Sequence, residues 1–433
     1  MVKEDLATDS FRRAIRMGNL GFRIAGSYLG YQLQNLFLDP EAQAKQRKTY
    51  HQETARRIRK DLQSLRGPIM KLGQALSMQT HVIPDNMIQE LTELQMYAPP
   101  MHPTLLRTQF KRSLGKYPEE IFRRFDAEPF AAASLGQVHY AVTPTGEEAA
   151  VKIQYPAIRQ AIQNDFALLR AVTLPVRLSK YLNDELLREA EEGILLETDY
   201  QNEARNIEYF RENLKELPYV SVPRVFTQYT REKVLTMSFM PGRFLDQWLQ
   251  RRPSQEWRDR IGNRLFEMFT YQFTCLNAIH ADPHPGNYLY DEAGSVSLID
   301  FGCAKYFSDR MLDCSRMLTE RGWKQDEEKY AQLMISIFGD RTDPTNENHR
   351  RVMDSLIEFF DLVCPRNGEI IDFGNKTFLD RLTGLWNHAL KNELARGEMF
   401  FLCRAELGLY NVLYKLGARV KTTQISERFQ DKT

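Results

Sequence analysis

The spacing of apolar residues divides the chain into a helical beginning, a strand-rich middle and a helical end. Residues 1–66 and 67–115 both carry apolar positions at roughly helical intervals, which predicts helices. Prolines between Pro99 and Pro103 interrupt this pattern, so we place a boundary near them. Helical patterns dominate again from Trp257 to the end of the chain.

Short apolar runs bounded by turn residues predict strands in the middle of the chain. Gln137–Val142 and Glu148–Gln154 flank the turn sequence Thr143-Pro144-Thr145-Gly146, which predicts a β-hairpin with Lys152 in its second strand. Beyond this hairpin the pattern predicts a long helical stretch, roughly Asn183–Leu214, and two more strands, at Val220–Phe226 and Lys233–Phe239.

Charge and cysteine content exclude several classes of protein. The 433 residues include 58 basic and 57 acidic side chains, a formal net charge of +1, which argues against a general nucleic-acid binder. The five cysteines form no Cys-x-x-Cys pair, so we expect neither a disulfide framework nor a structural zinc site. We see no signal peptide and no apolar run long enough to span a membrane. We therefore expect a cytoplasmic or peripheral membrane protein, with an organellar location still open.

The first 66 residues are basic, and they allow two interpretations. They contain thirteen Lys or Arg and seven Asp or Glu, an excess of six positive charges. An amphipathic helix lying on an anionic membrane surface would use such charges. A packing helix with a solvated basic face explains them equally, and we favour this second interpretation.

The stretch HADPHPGNYLYDEAGSVSLIDFG, which begins at His280, carries the clearest chemistry. Asn287–Tyr290 and Val296–Ile299 predict two short strands joined by a turn. Because a hairpin brings its open ends together, it would gather Asp282, Asn287 and Asp300. Carboxylate and amide oxygens, few in number, suit Mg²⁺ that also binds phosphate oxygens.

The spacing of these residues gives each of them a candidate role. Asn287 and Asp300 would hold Mg²⁺, and Asp282 would face the incoming hydroxyl or water as a base. We interpret His280 as a structural residue that supports the loop backbone. The order H-x-D-x-x-x-x-N followed by Asp-Phe-Gly is the pattern of a protein-kinase catalytic loop and metal loop.

The kinase pattern also requires residues that hold the nucleotide. Lys152 would bind the α- and β-phosphates, and Glu203 on the following helical stretch would pair with it. Met237 would contact the adenine ring, although an ordinary core methionine explains it equally well. The expected phosphate loop is rich in alanine instead of glycine, so nucleotide would be held differently there; its candidate residues are Ala131, Ala132, Ala133, Ser134 and Gly136.

Two further departures argue against a kinase that phosphorylates proteins. Ala281 occupies the position where protein kinases carry an arginine that reads a phosphorylated activation loop. No Ala-Pro-Glu follows Asp300 anywhere downstream, so the segment that docks peptide substrates looks absent.

Six motifs in order resemble the UbiB-type atypical kinase family, the AarF/ADCK group. They are KLGQALS, AAASLGQVH, AVKIQYP, ETDYQNEA, HADPHPGN and LIDFG, and they span roughly Gly67 to Lys305. The resemblance implies a two-lobed protein-kinase-like α+β fold with an N-terminal helical extension and a helical C-terminal lobe. The expected parts are a basic helical region at 1–66, the extension at 67–115, an N-lobe at 116–240 and a C-lobe at 241–433.

The resemblance also implies regulatory residues and a field of metabolism. Lys71 and Gln74 match the family's Lys-x-Gly-Gln motif, and Glu197 and Asp199 match its Glu-x-Asp motif. Carried over, Lys71 pairs with Glu197, and Gln74 points into the pocket. The implied ligands are Mg²⁺ with ATP or ADP, and an isoprenoid lipid or quinone precursor, as in ubiquinone biosynthesis.

Three functions remain in competition at the level of sequence. The first is a Mg²⁺-dependent ATPase or a small-molecule or lipid kinase that supports isoprenoid-lipid metabolism. The second is a nucleotide-gated module that binds a lipid or a protein and needs no turnover. The third, an antibiotic-type phosphotransferase, is disfavoured by the alanine-rich loop and by the motifs around Lys71 and Glu197.

Overall fold

The structure is a computed structural model that describes residues 101–133, 135–173, 184–282, 284–313, 326–339, 342–391 and 397–430. The predictions for 1–66, for Lys71 and Gln74, and for Ser134 lie outside these residues. The described residues form two compact units. The first reaches to Tyr200 and includes Tyr229–Thr236, and the second comprises Gln201–Gln228 and the residues from Met237 onward. The proposed division into lobes at 116–240 and 241–433 stays a prediction.

Helices and short strands alternate along the described chain. The main helices are α1 (Pro103–Leu114), α2 (Pro118–Ile121), α3 (Ile158–Thr173), α4 (Asp184–Leu196), α5 (Tyr200–Asn213), α6 (Leu245–Leu249), α7 (Gln255–Leu276), α8 (Glu327–Phe338), α9 (Glu347–Val363), α10 (Lys376–Lys391), α11 (Gly397–Leu416) and α12 (Thr422–Gln430). The strands are β1 (Arg124–Phe125), β2 (Ala131–Ala133), β3 (Gly136–Val142), β4 (Glu148–Gln154), β5 (Val220–Ser221), β6 (Val234–Ser238), β7 (Ala278–His280), β8 (Tyr288–Tyr290), β9 (Val296–Leu298), β10 (Ala304–Tyr306), β11 (Ile371–Asp372) and β12 (Arg419–Val420).

The first unit is built on a sheet of order β1-β3-β4-β6, with β2 added to β3. The predicted hairpin is confirmed as β3 and β4, which pair antiparallel through seven residue pairs. Thr143 closes its turn by accepting a hydrogen bond from the Glu147 backbone N–H at 3.0 Å, and Gly146 supplies a φ of +89°. All of β4 after Glu148 is buried, so its side chains are fixed by packing on both faces.

The helical stretch predicted over roughly Asn183–Leu214 is divided into two helices. α4 ends at Leu196 and α5 begins at Tyr200. Between them the backbone N–H groups of Thr198 and Asp199 bond three residues back, to Leu195 and Leu196. The Thr198 hydroxyl also donates to the Leu195 carbonyl at 2.6 Å. These three bonds replace the helical i→i−4 pattern with a tight turn. The predicted helical stretch is therefore confirmed as two helices, but the placement of Glu197–Asp199 on the helix of Glu203 is wrong.

The strand predicted over Val220–Phe226 is also shorter than expected. Only Val220–Ser221 forms a strand, which runs parallel to β9. Pro223 follows closely, and proline has no N–H to donate to a sheet. The Val225 N–H bonds instead to the Glu208 carboxylate at 2.8 Å.

The second unit is organised around α7, the long helix predicted from Trp257. α7 begins after Ser254, whose hydroxyl accepts a hydrogen bond from the Trp257 N–H, and ends at Asn277, which takes a left-handed conformation with φ +51°. A side chain at Gly262 would collide with Ala418, so a glycine is needed where the turn between α11 and β12 passes over α7. Among the described helices, none is both long enough and apolar enough to cross a membrane.

Candidate active site

Lys152, in the first unit, sits in the middle of β4. It faces Val138 in the hairpin register, and its side chain is only 4% exposed. Because the hairpin fixes the register, the direction of the Lys152 side chain follows from the pairing of the strands. A lysine buried to this degree is uncommon in a purely structural role.

The alanine-rich segment is a strand in the structure, although the sequence predicted a loop. Ala131, Ala132 and Ala133 form β2 and pair with Val138, Gln137 and Gly136 of β3. A Cβ on Gly136 would collide with the Ile153 carbonyl and lie 3.0 Å from the Tyr200 hydroxyl. Gly136 therefore allows the turn to lie close against β4, a packing role that sequence reasoning did not assign.

The Glu197–Asp199 segment is attached to the same strand as Lys152. The Gln154 side chain donates a hydrogen bond to the Thr198 carbonyl at 2.9 Å, and Arg159 donates to the Thr198 hydroxyl at 3.1 Å. Glu197 and Asp199, on either side of Thr198, are half-buried. Sequence reasoning missed Gln154, whose only sequence signal is an amide at the end of a largely apolar strand.

In the second unit, the predicted hairpin between Asn287 and Ile299 is confirmed. β8 and β9 pair antiparallel through three residue pairs. The Ile299 N–H also bonds to the Asn287 carbonyl at 3.1 Å, although Asn287 itself ends a short 3₁₀ turn. This bond brings Asn287 opposite the residue that precedes Asp300.

Asp282 orients the amide of Asn287. The Asn287 nitrogen donates to the Asp282 carbonyl at 2.9 Å and to the Asp282 carboxylate at 3.0 Å. Two acceptors around one position identify it as the NH₂ group, because a flipped amide would put oxygen against oxygen. The amide oxygen of Asn287 accepts no hydrogen bond from the residues that the structure describes, which suits a metal ligand.

His280 supports the backbone of the metal loop, as predicted. Its Nε2 is hydrogen-bonded to the Asp300 carbonyl, and a carbonyl can only accept, so Nε2 carries the proton. The ring is 3% exposed and packs edge-on against Phe301, with the centroids 5.5 Å apart. β7 then pairs with β10, and the Ala281 N–H bonds to the Cys303 carbonyl at 2.9 Å. The segment that precedes Asp282 and the segment that follows Asp300 are therefore held together.

Helix α5 holds the residue that follows Asp300. The Glu203 carboxylate accepts from the Phe301 N–H at 3.3 Å, and the Asn206 side chain donates to the Phe301 carbonyl at 3.0 Å. Sequence reasoning missed Asn206, although its spacing of three from Glu203 puts the two on one helical face. Lys152 and Glu203 belong to different units, and the ion pair expected between them stays a prediction.

The oxygen donors of the second unit fit Mg²⁺. The Asp300 carboxylate is oriented by the Gly302 N–H, which donates to Oδ1 at 3.0 Å. Together with the amide oxygen of Asn287 it offers hard oxygen ligands. In the described part of the chain, no three or more His, Cys, Asp or Glu side chains are grouped to hold a metal ion.

Met237 was predicted at the adenine ring. It lies on β6 and is 4% exposed, and its backbone forms a bridge to Val225. Burial of this kind fits the core interpretation as well as a contact with a base, so the adenine contact stays a prediction.

A family model and several known proteins match this chain. A model of the ABC1 atypical kinase-like domain matches residues 93–334. The chain is similar to "Atypical kinase COQ8, mitochondrial" of Saccharomyces cerevisiae, 28% identical over 85% of this chain and 74% of the yeast protein. It is also similar to "Protein ACTIVITY OF BC1 COMPLEX KINASE 8, chloroplastic" of Arabidopsis thaliana, 31% identical over 65% of this chain and 38% of the plant protein. The chain thus spans about three quarters of the yeast relative but well under half of the plant relative.

A solved structure is similar over nearly the whole chain. It is the complex of Rv3197 with erythromycin from Mycobacterium tuberculosis, with a TM-score of 0.58 and 25% identity over 90% of this chain and 97% of the other. Together with the family match, it confirms the predicted two-lobed kinase-like α+β fold class.

Proposed function

The chain belongs to the ABC1 atypical kinase-like family, and from that premise we propose that it binds Mg²⁺–ATP and hydrolyses it or transfers its terminal phosphoryl group to a small molecule or lipid. The observation that carries the proposal is the hydrogen-bonded pair of Asp282 and Asn287 beside a metal loop that His280 holds by its backbone. Phosphoryl transfer depends mainly on positioning and charge neutralisation, and these contacts supply positioning.

In the second unit, the proposal gives each polar residue one task. Asn287 and Asp300 hold the metal, which when bound neutralises charge on the phosphates. Asp282 keeps the Asn287 amide oriented through one carboxylate oxygen. Its other oxygen accepts the proton of the attacking hydroxyl or water.

In the first unit, the proposal assigns the nucleotide contacts. Lys152 binds the α- and β-phosphates, and its partner is Glu203. The backbone of the segment from Ala131 to Gly136 lies against the phosphates, and Met237 contacts the adenine. Because β2 pairs with β3, its N–H groups are partly used within the sheet. This segment therefore offers fewer backbone N–H groups to the phosphates than a glycine-rich loop does.

The acceptor we propose is a small molecule, water or a lipid, not a protein. Ala281 is buried and offers no charge to read a phosphorylated segment. An isoprenoid lipid or quinone precursor is the partner we propose, with ubiquinone biosynthesis as the setting, and the mitochondrial and chloroplastic names of the relatives support an organellar location. Lys71, Gln74, Glu197 and Asp199 keep their proposed regulatory role, with Lys71 paired to Glu197.

The test is nucleotide hydrolysis by the purified chain, with and without liposomes that contain a quinone-precursor mimic. We expect Mg²⁺-dependent hydrolysis that rises with lipid and disappears in Asp300→Asn. The same preparations are compared with Glu292→Gln, a carboxylate exposed in the turn of the same hairpin, which should hydrolyse normally. Hydrolysis that is absent in every condition would reject the enzymatic proposal.

A second candidate function is a nucleotide-gated binding module. The similarity to a chain solved in complex with erythromycin favours it, because that neighbour holds a large ligand that is not a nucleotide. On this proposal ATP binding changes the grip on a lipid or protein, and Asp282→Asn preserves function in cells. A loss of cellular function in Asp282→Asn with intact nucleotide binding would exclude it.

A further inference from the structure

Two successive peptide groups of the metal loop, Asp300–Phe301 and Phe301–Gly302, are held by a single face of α5. Glu203 accepts the N–H of Phe301, and Asn206 donates to its carbonyl. Both side chains are buried, at 3% and 4% exposure. Since the two residues are three apart, they form one rigid clamp.

The same asparagine also reaches the strand beyond the metal loop. The Tyr306 hydroxyl donates to the Asn206 amide oxygen at 3.0 Å. Tyr306 lies on β10, where it pairs with Ala278 of β7, the strand that leads to Asp282. Both ends of the buried amide are therefore satisfied, one by the metal loop and one by the strand paired with the catalytic loop.

We propose that Asn206 is a positioning residue for the metal site, and this rests on the proposed function. It fixes the peptide group between Phe301 and Gly302 through the Phe301 carbonyl. The N–H of that same peptide group donates to the Asp300 carboxylate at 3.0 Å, so Asn206 sets the orientation of this carboxylate. His280 fixes the preceding carbonyl, so the two contacts together set the orientation of Asp300 towards the Asn287 amide. Asn206 itself touches neither metal nor nucleotide.

The chemistry of the clamp explains why an amide is required. Aspartate has the same shape and still accepts from Tyr306, but it places a carboxylate oxygen against the Phe301 carbonyl. Two acceptors that face each other in a buried place repel, and the carbonyl loses its donor. The expected consequence is a displaced Phe301 peptide and a misdirected Asp300.

The experiment measures Mn²⁺ binding by the full-length chain in the presence of ADP, with electron paramagnetic resonance reporting free Mn²⁺. Asn206→Asp is compared with Asn213→Asp, in which an asparagine of the same helix loses a similar bond to the Tyr209 carbonyl. We expect Asn206→Asp to weaken Mn²⁺ binding at least tenfold, and Asn213→Asp to change it less than twofold. Because its new carboxylate is buried, Asn206→Asp should melt at a lower temperature than Asn213→Asp without ligand, so Mn²⁺ binding is measured well below both melting temperatures.

Tyr306→Phe provides a second, milder variant, because Tyr306 is 47% exposed and loses only its hydroxyl. We expect a two- to fivefold weakening of Mn²⁺ binding, and this variant decides the question if Asn206→Asp does not fold. If the wild-type chain binds Mn²⁺ and the Asn206, Tyr306 and Asn213 variants all bind it equally well, the inference is overturned and the proposed function stands. No Mn²⁺ binding by the wild-type chain would overturn both.

Discussion

The two hairpins that carry the proposed chemistry, one in each unit, are held in different ways. β3 and β4 share seven residue pairs, and β8 and β9 share three. The short hairpin depends on its surroundings: Arg243 and Tyr290 exchange backbone hydrogen bonds of 2.9 Å, β5 adds a parallel strand, and the Arg264 guanidinium donates to the Gly294 carbonyl in the turn.

This difference decides how a functional side chain is oriented. Lys152 sits in mid-strand, so its direction follows from a long register. Asn287 and Asp300 sit at the open ends of a short hairpin, so other side chains orient them, namely Asp282, His280 and the clamp on Phe301. We therefore expect metal binding at Asn287 and Asp300 to be sensitive to substitution of residues that touch neither metal nor nucleotide.

The largest expected effect comes from His280→Ala. The variant removes a buried ring and leaves the Asp300 carbonyl without its donor, which should cost about 4 kcal/mol of unfolding free energy as well as metal binding. The measurement is urea unfolding followed by Mn²⁺ binding at low urea.

His139 supplies the matched variant for His280. It is a buried histidine of the first unit, whose Nδ1 is hydrogen-bonded to the Asp126 carbonyl at 2.9 Å and whose ring stacks on Phe125. His139→Ala should cost about 3 kcal/mol and leave Mn²⁺ binding intact. Equal loss of metal binding in both variants would contradict the contrast between the hairpins.

The next effect concerns Glu406, a buried carboxyl of the second unit. Burial raises its pKa to about 8, so the folded chain keeps a proton that the unfolded chain releases above its ordinary pKa of 4.5. Stability should therefore fall as pH rises between these two values. Glu406→Gln removes the ionisable group, and at pH 7 it should stabilise the chain by about 3 kcal/mol.

The measurement is urea unfolding of wild type, Glu406→Gln and Glu427→Gln at pH 5, 7 and 9. Glu427 is exposed on α12 and serves as the control for the charge change. The wild type and Glu427→Gln should lose stability from pH 5 to pH 7 more steeply than Glu406→Gln. Three parallel curves would show that Glu406 does not carry this pH dependence.

A third prediction removes the charge of the long hairpin without disturbing its register. Lys152→Met keeps the shape of a buried chain, so the variant without ligand should unfold like the wild type or slightly later. It should lose the stabilisation by nucleotide, which for the wild type is ~2.7 kcal/mol at about 100 times the dissociation constant. Thermal unfolding with and without Mg²⁺–ATP measures both quantities, and full nucleotide stabilisation of Lys152→Met would remove Lys152 from the site.

The smallest effect is the pH response of His139. The pKa of His139 is lowered, and burial is the leading cause. The hydrogen bond to the Asp126 carbonyl acts in the opposite direction and raises the pKa. The folded chain then binds fewer protons than the unfolded chain below the ordinary pKa of 6.5. Stability from this group is complete above that pH and is lost as pH falls. His139→Gln should flatten the acid side of the stability curve in urea unfolding, and an unchanged slope would argue against this group.

The sequence predicted those parts of the molecule whose structure follows from a local residue pattern. The β3–β4 hairpin follows from two apolar runs around Thr143–Gly146, and the fold class follows from motifs whose order is specific. The turn at Thr198 was not predictable, because the helical pattern runs through it and the turn is closed by two backbone hydrogen bonds and the Thr198 hydroxyl.

The residues that support the candidate site were harder to predict than its hairpin. Asp282, Asn287 and Asp300 were proposed from their spacing, and their roles stay a prediction. The hairpin brings Asn287 opposite the residue before Asp300. Asn206 and Gln154 were missed because a polar side chain on a helix or strand indicates solvent by default, and only tertiary structure shows that a backbone carbonyl faces it.

The central claim is that Asn287 and Asp300 form a metal site that serves nucleotide binding. The most direct measurement is the ATP affinity of the wild-type chain and of Asp300→Asn, by titration calorimetry with Mg²⁺ and with a chelator. We predict that Mg²⁺ strengthens ATP binding to the wild type at least tenfold and has little effect on Asp300→Asn. An equal Mg²⁺ effect on both proteins would contradict the account.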